Sequence, residues 1–238
     1  MPRLNSTREL EHLREQLREK RKSITTIVMV CGGTGCQASR SRDLADAVRD
    51  ELSKQGLDKK VRLCVTGCHG FCEQGPLMII EPSKVFYCHV SPEDAFEIVS
   101  RTVARGDVIE RLLYTDPVSG ERVKIESEIP FYRAQDRQLM SQNRMVDPCS
   151  IEDYIVIGGY SALVKTLGTM APEEIIKEIK SSGLRGRGGG GFPTWLKWNE
   201  CREAPGDEKY VICNADEGDP GAYMNRCTLE GNPHLVLE

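Results

Sequence analysis

Two short cysteine runs constrain this chain more than any other feature: CGGTGC, holding Cys31 and Cys36, and GCHGFCEQGP, holding Cys68 and Cys72. The first follows the apolar run ITTIVMV and the second the strand-like KVRLCVT, so two thiol pairs converge from loops of one small domain. Four thiolates suit a zinc ion or a 2Fe–2S cluster. The C-x4-C and C-x3-C spacings are looser than the C-x2-C of zinc knuckles. Gly32, Gly33, Gly35, Gly67 and Gly70 surround the ligands, where bare backbone can aim N–H groups at anionic sulfur. Structural zinc has less need of that, so the pattern favours iron–sulfur and leaves zinc open. Cys64 repeats the x3 spacing towards Cys68, but it alternates within a strand and is expected to be a buried or spare thiol. His69 is expected at the surface rather than as a ligand. No C-x-x-C occurs, which makes thiol–disulfide catalysis the weaker use.

Composition narrows the setting. The chain has 238 residues, 39% hydrophobic and 29% charged, with ten cysteines. Such a cysteine count in a chain without a leader-like apolar N-terminus points to metal, catalysis or burial rather than disulfides, with the cytoplasm as the default location. A formal net charge of -4 offers nucleic acid or an anionic membrane no general attraction, and no apolar run approaches a membrane span.

Periodicity divides the chain into four parts. Residues 1–23 are expected to form an N-terminal helix with Leu10, Leu13 and Leu17 on one stripe. Residues 24–113 read as a layered α/β domain: strands at ITTIVMVC, KVRLCVTG, PLMIIEP and KVFYCHV, a helix at DLADAVRDELSKQG, and a second helix capped by Ser91 and Pro92. Residues 114–150 read as an extended linker. Residues 151–238 begin a second domain with a helix ending at Gly183, a glycine loop, a helix around WLKWNECRE and a strand at KYVICNADEG. Asn232 and Pro233 signal a helix start close to the last residue, which suggests a chain that stops inside a domain.

The glycine loop GLRGRGGGGFPTWLKW raises a separate question. Gly186, Gly188, Gly189, Gly190 and Gly191 strip side chains from the backbone, yet a helix precedes them where a dinucleotide fingerprint requires a strand. Walker A fails for want of Gly-Lys-Ser/Thr, and a single RGRGG in an acidic chain is a poor RNA element. Close approach of a flat ring or phosphate remains, with Phe192 to stack and Arg187 and Lys197 to supply charge. Downstream, Asn214, Asp216, Glu217 and Asp219 gather at a strand end, suited to ribityl or ribose hydroxyls. A calcium loop is disfavoured by Pro220 and by the lack of a glutamate at the twelfth position, while a solvated acidic turn stays open.

GLRGRGGGGFPTWLKW followed by CNADEGDPGAYMNR resembles the FMN- and NADH-binding flavoprotein subunit of the complex I family and the diaphorase (beta) subunits of NAD(P)-dependent hydrogenases and formate dehydrogenases. CGGTGC with GCHGFCEQGP resembles the thioredoxin-like 2Fe–2S ferredoxin domain, whose fusion ahead of the flavoprotein looks more like the hydrogenase arrangement. The implied fold is α/β: a thioredoxin-like 2Fe–2S domain followed by the N-terminal part of an FMN-binding domain. The resemblance implies that Cys31, Cys36, Cys68 and Cys72 ligate the cluster. It implies that Gly186, Arg187, Gly188, Lys197, Asn214, Asp216 and Glu217 hold FMN, with Phe192 and Asp219 near NAD(H) or NADP(H). Hydride would pass from nicotinamide to FMN, with Lys197 supporting reduced flavin, and the partners would be a hydrogenase or dehydrogenase catalytic subunit and a small ferredoxin-like 2Fe–2S subunit. Two departures stand out: Trp195 replaces the glycine of GFPTG, and Asn225 the aspartate of AYMDR. A 2Fe–2S carrier with an incomplete flavin site is the alternative reading.

Overall fold

The structure, a computed structural model, describes Leu4 and residues 6–238. Helix α1 (Thr7–Arg21) fills the expected N-terminal span, of which residues 1–3 and 5 lie outside the described residues. Leu10 and Leu17 of its stripe are buried, at 2% and 3% exposure. The chain divides into two units. Leu13–Gly159 and Glu217–Glu238 make one, and Tyr160–Asp216 with the residues up to His12 make the other.

The first unit is built on four strands, β1 (Thr26–Cys31), β2 (Val61–Thr66), β3 (Met78–Glu81) and β4 (Val85–Tyr87), in the order β2-β1-β3-β4. β1 and β2 are parallel, with Val28 opposite Leu63 and Cys31 opposite Thr66. A parallel pair needs a crossover, supplied by α2 (Thr34–Ala38) and α3 (Ser41–Lys54). The β1–β3 and β3–β4 pairs are antiparallel. Helix α4 (Ala95–Glu97) continues in wider turns to Val103, and the expected cap is present: the Ser91 N–H and hydroxyl both donate to Asp94 at 2.8 Å.

Strand alternation sends apolar side chains to both faces of this sheet. Val28, Val30, Met78 and Ile80 meet Leu44, Val48 and Ile98 on one face; Met29, Cys31, Ile79 and Phe86 lie on the other. Two apolar faces require two covers, and the second comes from residues expected to be an extended linker. Residues 114–150 carry β5 (Tyr114–Thr115), β6 (Arg122–Val123) and α5 (Pro130–Arg133), and bury Tyr114, Ile129, Tyr132, Asn143 and Val146. The segment is polar on average, yet these few residues give it a buried side.

The expected start of a second domain at Ile151 also differs, because α6 (Ile151–Val156) is bound within the first unit. Arg14 donates to the Ile155 carbonyl at 2.8 Å and Arg18 to that of Val156 at 3.0 Å, so cations meet the open C-terminal carbonyls of α6. Asp153, 1% exposed, takes Arg21 and Arg62 at 2.6 Å each. Burial raises its carboxyl pKa, but hydrogen bonds from Arg62 and the Asp147 N–H outweigh that and hold it below the ordinary value.

The other unit holds α7 (Ser161–Thr169), α8 (Pro172–Ser182) and α9 (Thr194–Glu203), with Gly183 closing α8 at a φ of 67° as expected. From Tyr160 to Asp216 side chains are half-buried at most, and the buried Leu10 of α1 is the exception among the described residues of this unit. The expected strand at KYVICNADEG is irregular backbone instead, and Val211 is 99% exposed. A strand needs an edge to pair with, and among the described residues this unit has no sheet. The chain then returns to the first unit as α10 (Met224–Gly231) and α11 (Pro233–Leu237), the latter capped by Asn232, whose side chain accepts from the Leu235 N–H at 3.3 Å. No helix among the described residues is long and apolar enough to cross a membrane.

Candidate functional site

The four cysteines singled out by spacing meet at the C-terminal ends of β1 and β2. Cys31 is the last residue of β1 and Cys36 lies in the turn of helix that follows; Cys68 sits in the loop after β2, and Cys72 opens a 3₁₀ turn. Cys68 Sγ and Cys72 Sγ are 3.9 Å apart, and the Cys31 thiol interacts with those of both Cys36 and Cys68. Cys31, Cys36 and Cys68 are buried while Cys72 is exposed, which places the group at the rim of the domain.

The flanking glycines open the space in which the thiols meet. A Cβ on Gly33 would stand 2.8 Å from Cys68 Cβ, one on Gly35 3.1 Å from Cys72 Cβ, and one on Gly75 2.7 Å from Cys36 Sγ. The expectation that glycine aims N–H groups at sulfur holds at Gly70, whose N–H donates to Cys68 Sγ at 3.3 Å from a φ of 85°. At Gly33, Gly35 and Gly75 the reason is clearance: a side chain there would enter the volume of the thiols.

Crowding governs the charge of the group. The Cys31 thiol is pushed up to about 12, first by its hydrogen bond with Cys36 and then by burial. Cys36 is lowered by the same bond. Cys68 is raised by its bond with Cys31 and by burial, and Cys72 chiefly by burial. The protein alone therefore disfavours ionisation of Cys31, Cys68 and Cys72, and all four become thiolates only where cationic metal offsets their repulsion. Among the described residues no group of three or more His, Cys, Asp and Glu side chains surrounds a single point in the manner of one metal ion. Close thiol pairs are what a binuclear cluster requires, since it takes two thiolates per iron. The donor set and the cleared space fit such a cluster.

Two neighbours resolve open points. Cys64 is buried, its thiol 3.8 Å from Asp153 Oδ2 and pushed up to about 12 by burial, so it faces the α6 attachment. His69 corrects the expectation of a surface side chain: it is 1% exposed, with a ring nitrogen 2.7 Å from Thr66 Oγ1. Burial, with Arg144 and Arg137 nearby, lowers its pKa to about 3 and keeps it neutral. Phe71, between His69 and Cys72, stacks on Phe131 with centroids 4.3 Å apart and meets Tyr132 edge-on at 5.5 Å. The segment read as a linker thus anchors the loop that carries Cys68 and Cys72. The aromatic pair in IPFYRA was the available signal.

In the other unit the glycine loop closes on itself, Gly186 N–H donating to the Phe192 carbonyl at 2.9 Å and Arg185 to that of Gly191 at 3.1 Å. Nothing lies within 4 Å of where a side chain would start at Gly188, Gly189 or Gly190, so this backbone stands open to a ring or phosphate. Lys197 Nζ lies 5.5 Å from the Phe192 ring centroid, while Arg187 is exposed. Trp195 lies under Lys180, 4.2 Å from Nζ to the ring. Asn214 accepts from the Asp216 N–H at 3.1 Å in exposed, irregular chain. Glu217 and Asp219 fall in the first unit, where Glu217 accepts from the N–H groups of Asn225 and Arg226 at 2.8 and 3.1 Å, capping α10. The acidic residues expected to act together are therefore divided between the units.

Residues 16–102 match the family model of the thioredoxin-like 2Fe-2S ferredoxin, and residues 179–238 that of the Nuo51 FMN-binding domain. The chain joins these two domains. It is 55% identical over 93 residues to the NADP-reducing hydrogenase subunit HndC of Solidesulfovibrio fructosivorans, covering 39% of this chain and 19% of that one. It is 49% identical over 88 residues to an NADH-quinone oxidoreductase chain of Rhizobium meliloti, covering 37% and 21%. A solved thioredoxin-like 2Fe-2S ferredoxin from Aquifex aeolicus aligns with a TM-score of 0.36 and 28% identity, over 39% of this chain and 99% of that one. The matched stretches thus span about a fifth of the length of these two curated relatives.

Proposed function

We propose that this chain is an electron-transferring part of an NAD(P)H-linked oxidoreductase, with a 2Fe–2S cluster held by Cys31, Cys36, Cys68 and Cys72 and FMN at the glycine loop. The observation that carries it is the convergence of the four thiols in space cleared by Gly33, Gly35 and Gly75. When bound, FMN accepts a hydride from the nicotinamide and the cluster carries electrons singly. The protein's own contribution is to hold and orient: Gly70 N–H supports the Cys68 sulfur, Phe131 and Tyr132 fix its loop, and Lys197 brings positive charge beside Phe192. Gly186, Arg187, Gly188, Asn214 and Asp216 provide the flavin contacts. The hydrogenase and NADH-quinone oxidoreductase relatives support a hydrogenase or complex I-like assembly. Within this reading its partners are a catalytic subunit and a small ferredoxin-like 2Fe–2S subunit, and its place is the cytoplasm.

A second reading, a 2Fe–2S carrier whose flavin half stays unloaded, is favoured by one observation: residues 208–218 have no regular structure and the apolar Val211 is bare. Anaerobic purification followed by iron, sulfide and flavin assays on one sample separates the two. Stoichiometric flavin with NADH-driven dye reduction supports the first, and iron and sulfide without flavin the second. Zinc without iron overturns both.

A further inference from the structure

Sequence spacing offers Cys64 as the spare thiol of the cluster, but the fold turns Cys64 towards Asp153 and brings a different cysteine to the ligands. Cys227, on α10, lies 155 positions beyond Cys72 in the chain. Its helix is pinned to the ligand loops at three points. The Gly67 N–H donates to the Asn143 carbonyl at 2.9 Å, and the Asn143 side-chain amide donates to the Cys227 carbonyl at 3.1 Å, so one fully buried asparagine ties the backbone beside Cys68 to that of Cys227. Gly67 and Gly231 pass so closely that a Cβ on Gly67 would stand 2.5 Å from Gly231 Cα. The Thr34 hydroxyl donates to Glu230 Oε2 at 3.1 Å across the first ligand loop. Cys68 and Cys227 line one cleft of about 570 Å³ beside Gly32 and Gly33, and the Cys227 thiol interacts with Cys68 and then with Cys72.

We infer that Cys227 is a fifth thiol of the cluster site, a substitute ligand that takes the iron when Cys68 is lost or displaced. The inference rests on the 2Fe–2S reading above. In the exchange a Cys227 Sγ–Fe bond forms and the Cys68 Sγ–Fe bond breaks. The Cys227 proton passes to the released Cys68 thiolate, so charge and oxidation state are unchanged. Cys36 has no such understudy: none of the spare cysteines is placed beside it by a comparable set of contacts among the described residues.

The test uses the full chain, purified without oxygen and reconstituted with ferrous iron and sulfide. Cys227→Ser is expected to keep the iron content and visible spectrum of the parent. Cys68→Ala is expected to retain two iron per chain with a shifted spectrum, whereas Cys68→Ala with Cys227→Ser, like Cys36→Ala, loses iron by at least about tenfold. Equal loss in Cys68→Ala with and without Cys227 overturns the inference. Loss in Cys227→Ser alone overturns it also, by making Cys227 a resident ligand. A parent chain that takes up no iron removes the cluster reading itself, an outcome distinct from either. Diamide oxidation of the metal-free chain supplies a readout independent of metal, made in a Cys31→Ser, Cys72→Ser background that removes the thiols already beside Cys68. The two thiols give two electrons and two protons to diamide, and peptide mapping is expected to find Cys68 joined to Cys227. A Cys68 joined elsewhere, or to nothing, overturns the juxtaposition.

Discussion

The cysteine loops of Cys31, Cys36, Cys68 and Cys72 and the glycine loop of Gly186–Gly191 look alike in sequence, each a glycine-rich turn beside reactive or charged residues, yet they are built in opposite ways. The cysteine loops rest on a sheet with both faces covered, and at Gly33, Gly35 and Gly75 the absent side chain is required by a thiol within about van der Waals reach. The glycine loop lies in a unit where none of residues 161–216 is buried, and its central glycines border open space. Glycine thus has two physical uses: it admits a neighbour already present, or it leaves room for one yet to come. The first makes a preorganised site. The second makes a site whose order depends on what binds.

The largest expected effect tests whether the cover over the second sheet face is part of the metal site. Tyr132→Ala removes a buried ring that meets Phe71 and Phe86 edge-on, a deletion that costs about 3–5 kcal/mol. Denaturation followed by far-ultraviolet dichroism is expected to show that loss, with faster release of iron from the loosened Cys68–Cys72 loop. Tyr132→Phe is the control, because the buried hydroxyl makes no hydrogen bond and its removal leaves nothing unpaired. A Tyr132→Ala chain as stable as its parent would return residues 114–150 to the status of a linker.

Next in size is the attachment of α6. Asp153→Ala strands Arg21 and Arg62, and removing one partner of a buried pair costs about 3–5 kcal/mol, reduced here towards the lower end because both arginines are partly exposed. The pH dependence has a definite sign. A carboxyl lowered in the folded state adds stability that is complete above its unfolded pKa of about 3.9 and is lost as pH falls through the folded value. Urea midpoints are expected to drop below about pH 4 in the parent and to show a shallower drop in Asp153→Asn. An equally steep acid limb in both chains would assign that dependence to other groups.

Gly33→Val sharpens the comparison directly, since its side chain would enter the Cys68 volume. Overpacking of this kind costs about 1–3 kcal/mol, and each 1.4 kcal/mol lowers affinity about tenfold, so retained iron is expected to fall about tenfold. Gly190→Ala, facing open space, is expected to leave both iron and thermal midpoint where they were. If the two substitutions behave alike, clearance is not what the first set of glycines supplies.

What could be read in advance follows the same division. The α/β order of residues 24–113, the convergence of the two thiol pairs and the burial of Cys64 were legible because local periodicity and spacing encode them. The burial of His69 was not: nothing in GCHGF shows that Thr66, Arg137 and Arg144 surround it. Cys227 and Asn143 escaped for the same reason, their roles arising from tertiary approach without any local pattern. Residues 114–150 were misread because an average polarity hides a few well-placed apolar side chains. KYVICN carries strand-forming residues, but backbone pairing decides whether they become a strand, and propensity gives way where no partner edge exists.

The smallest expected effect probes the open unit by itself. Both tryptophans, Trp195 and Trp198, lie on α9, so indole fluorescence reports this unit while visible absorbance of the cluster reports the other. In a Trp198→Phe background, Lys180→Gln removes the cation over the Trp195 ring, an exposed contact worth about 0.5–1 kcal/mol. The emission of Trp195 is expected to change and the fluorescence-detected urea midpoint to fall slightly, with iron content unaltered. A fall in iron would mean that the two sites are coupled and that the contrast between them fails. An unchanged fluorescence midpoint would leave α8 and α9 joined without this contact, through apolar packing of Ile175 and Ile176 towards Trp198, which share one groove.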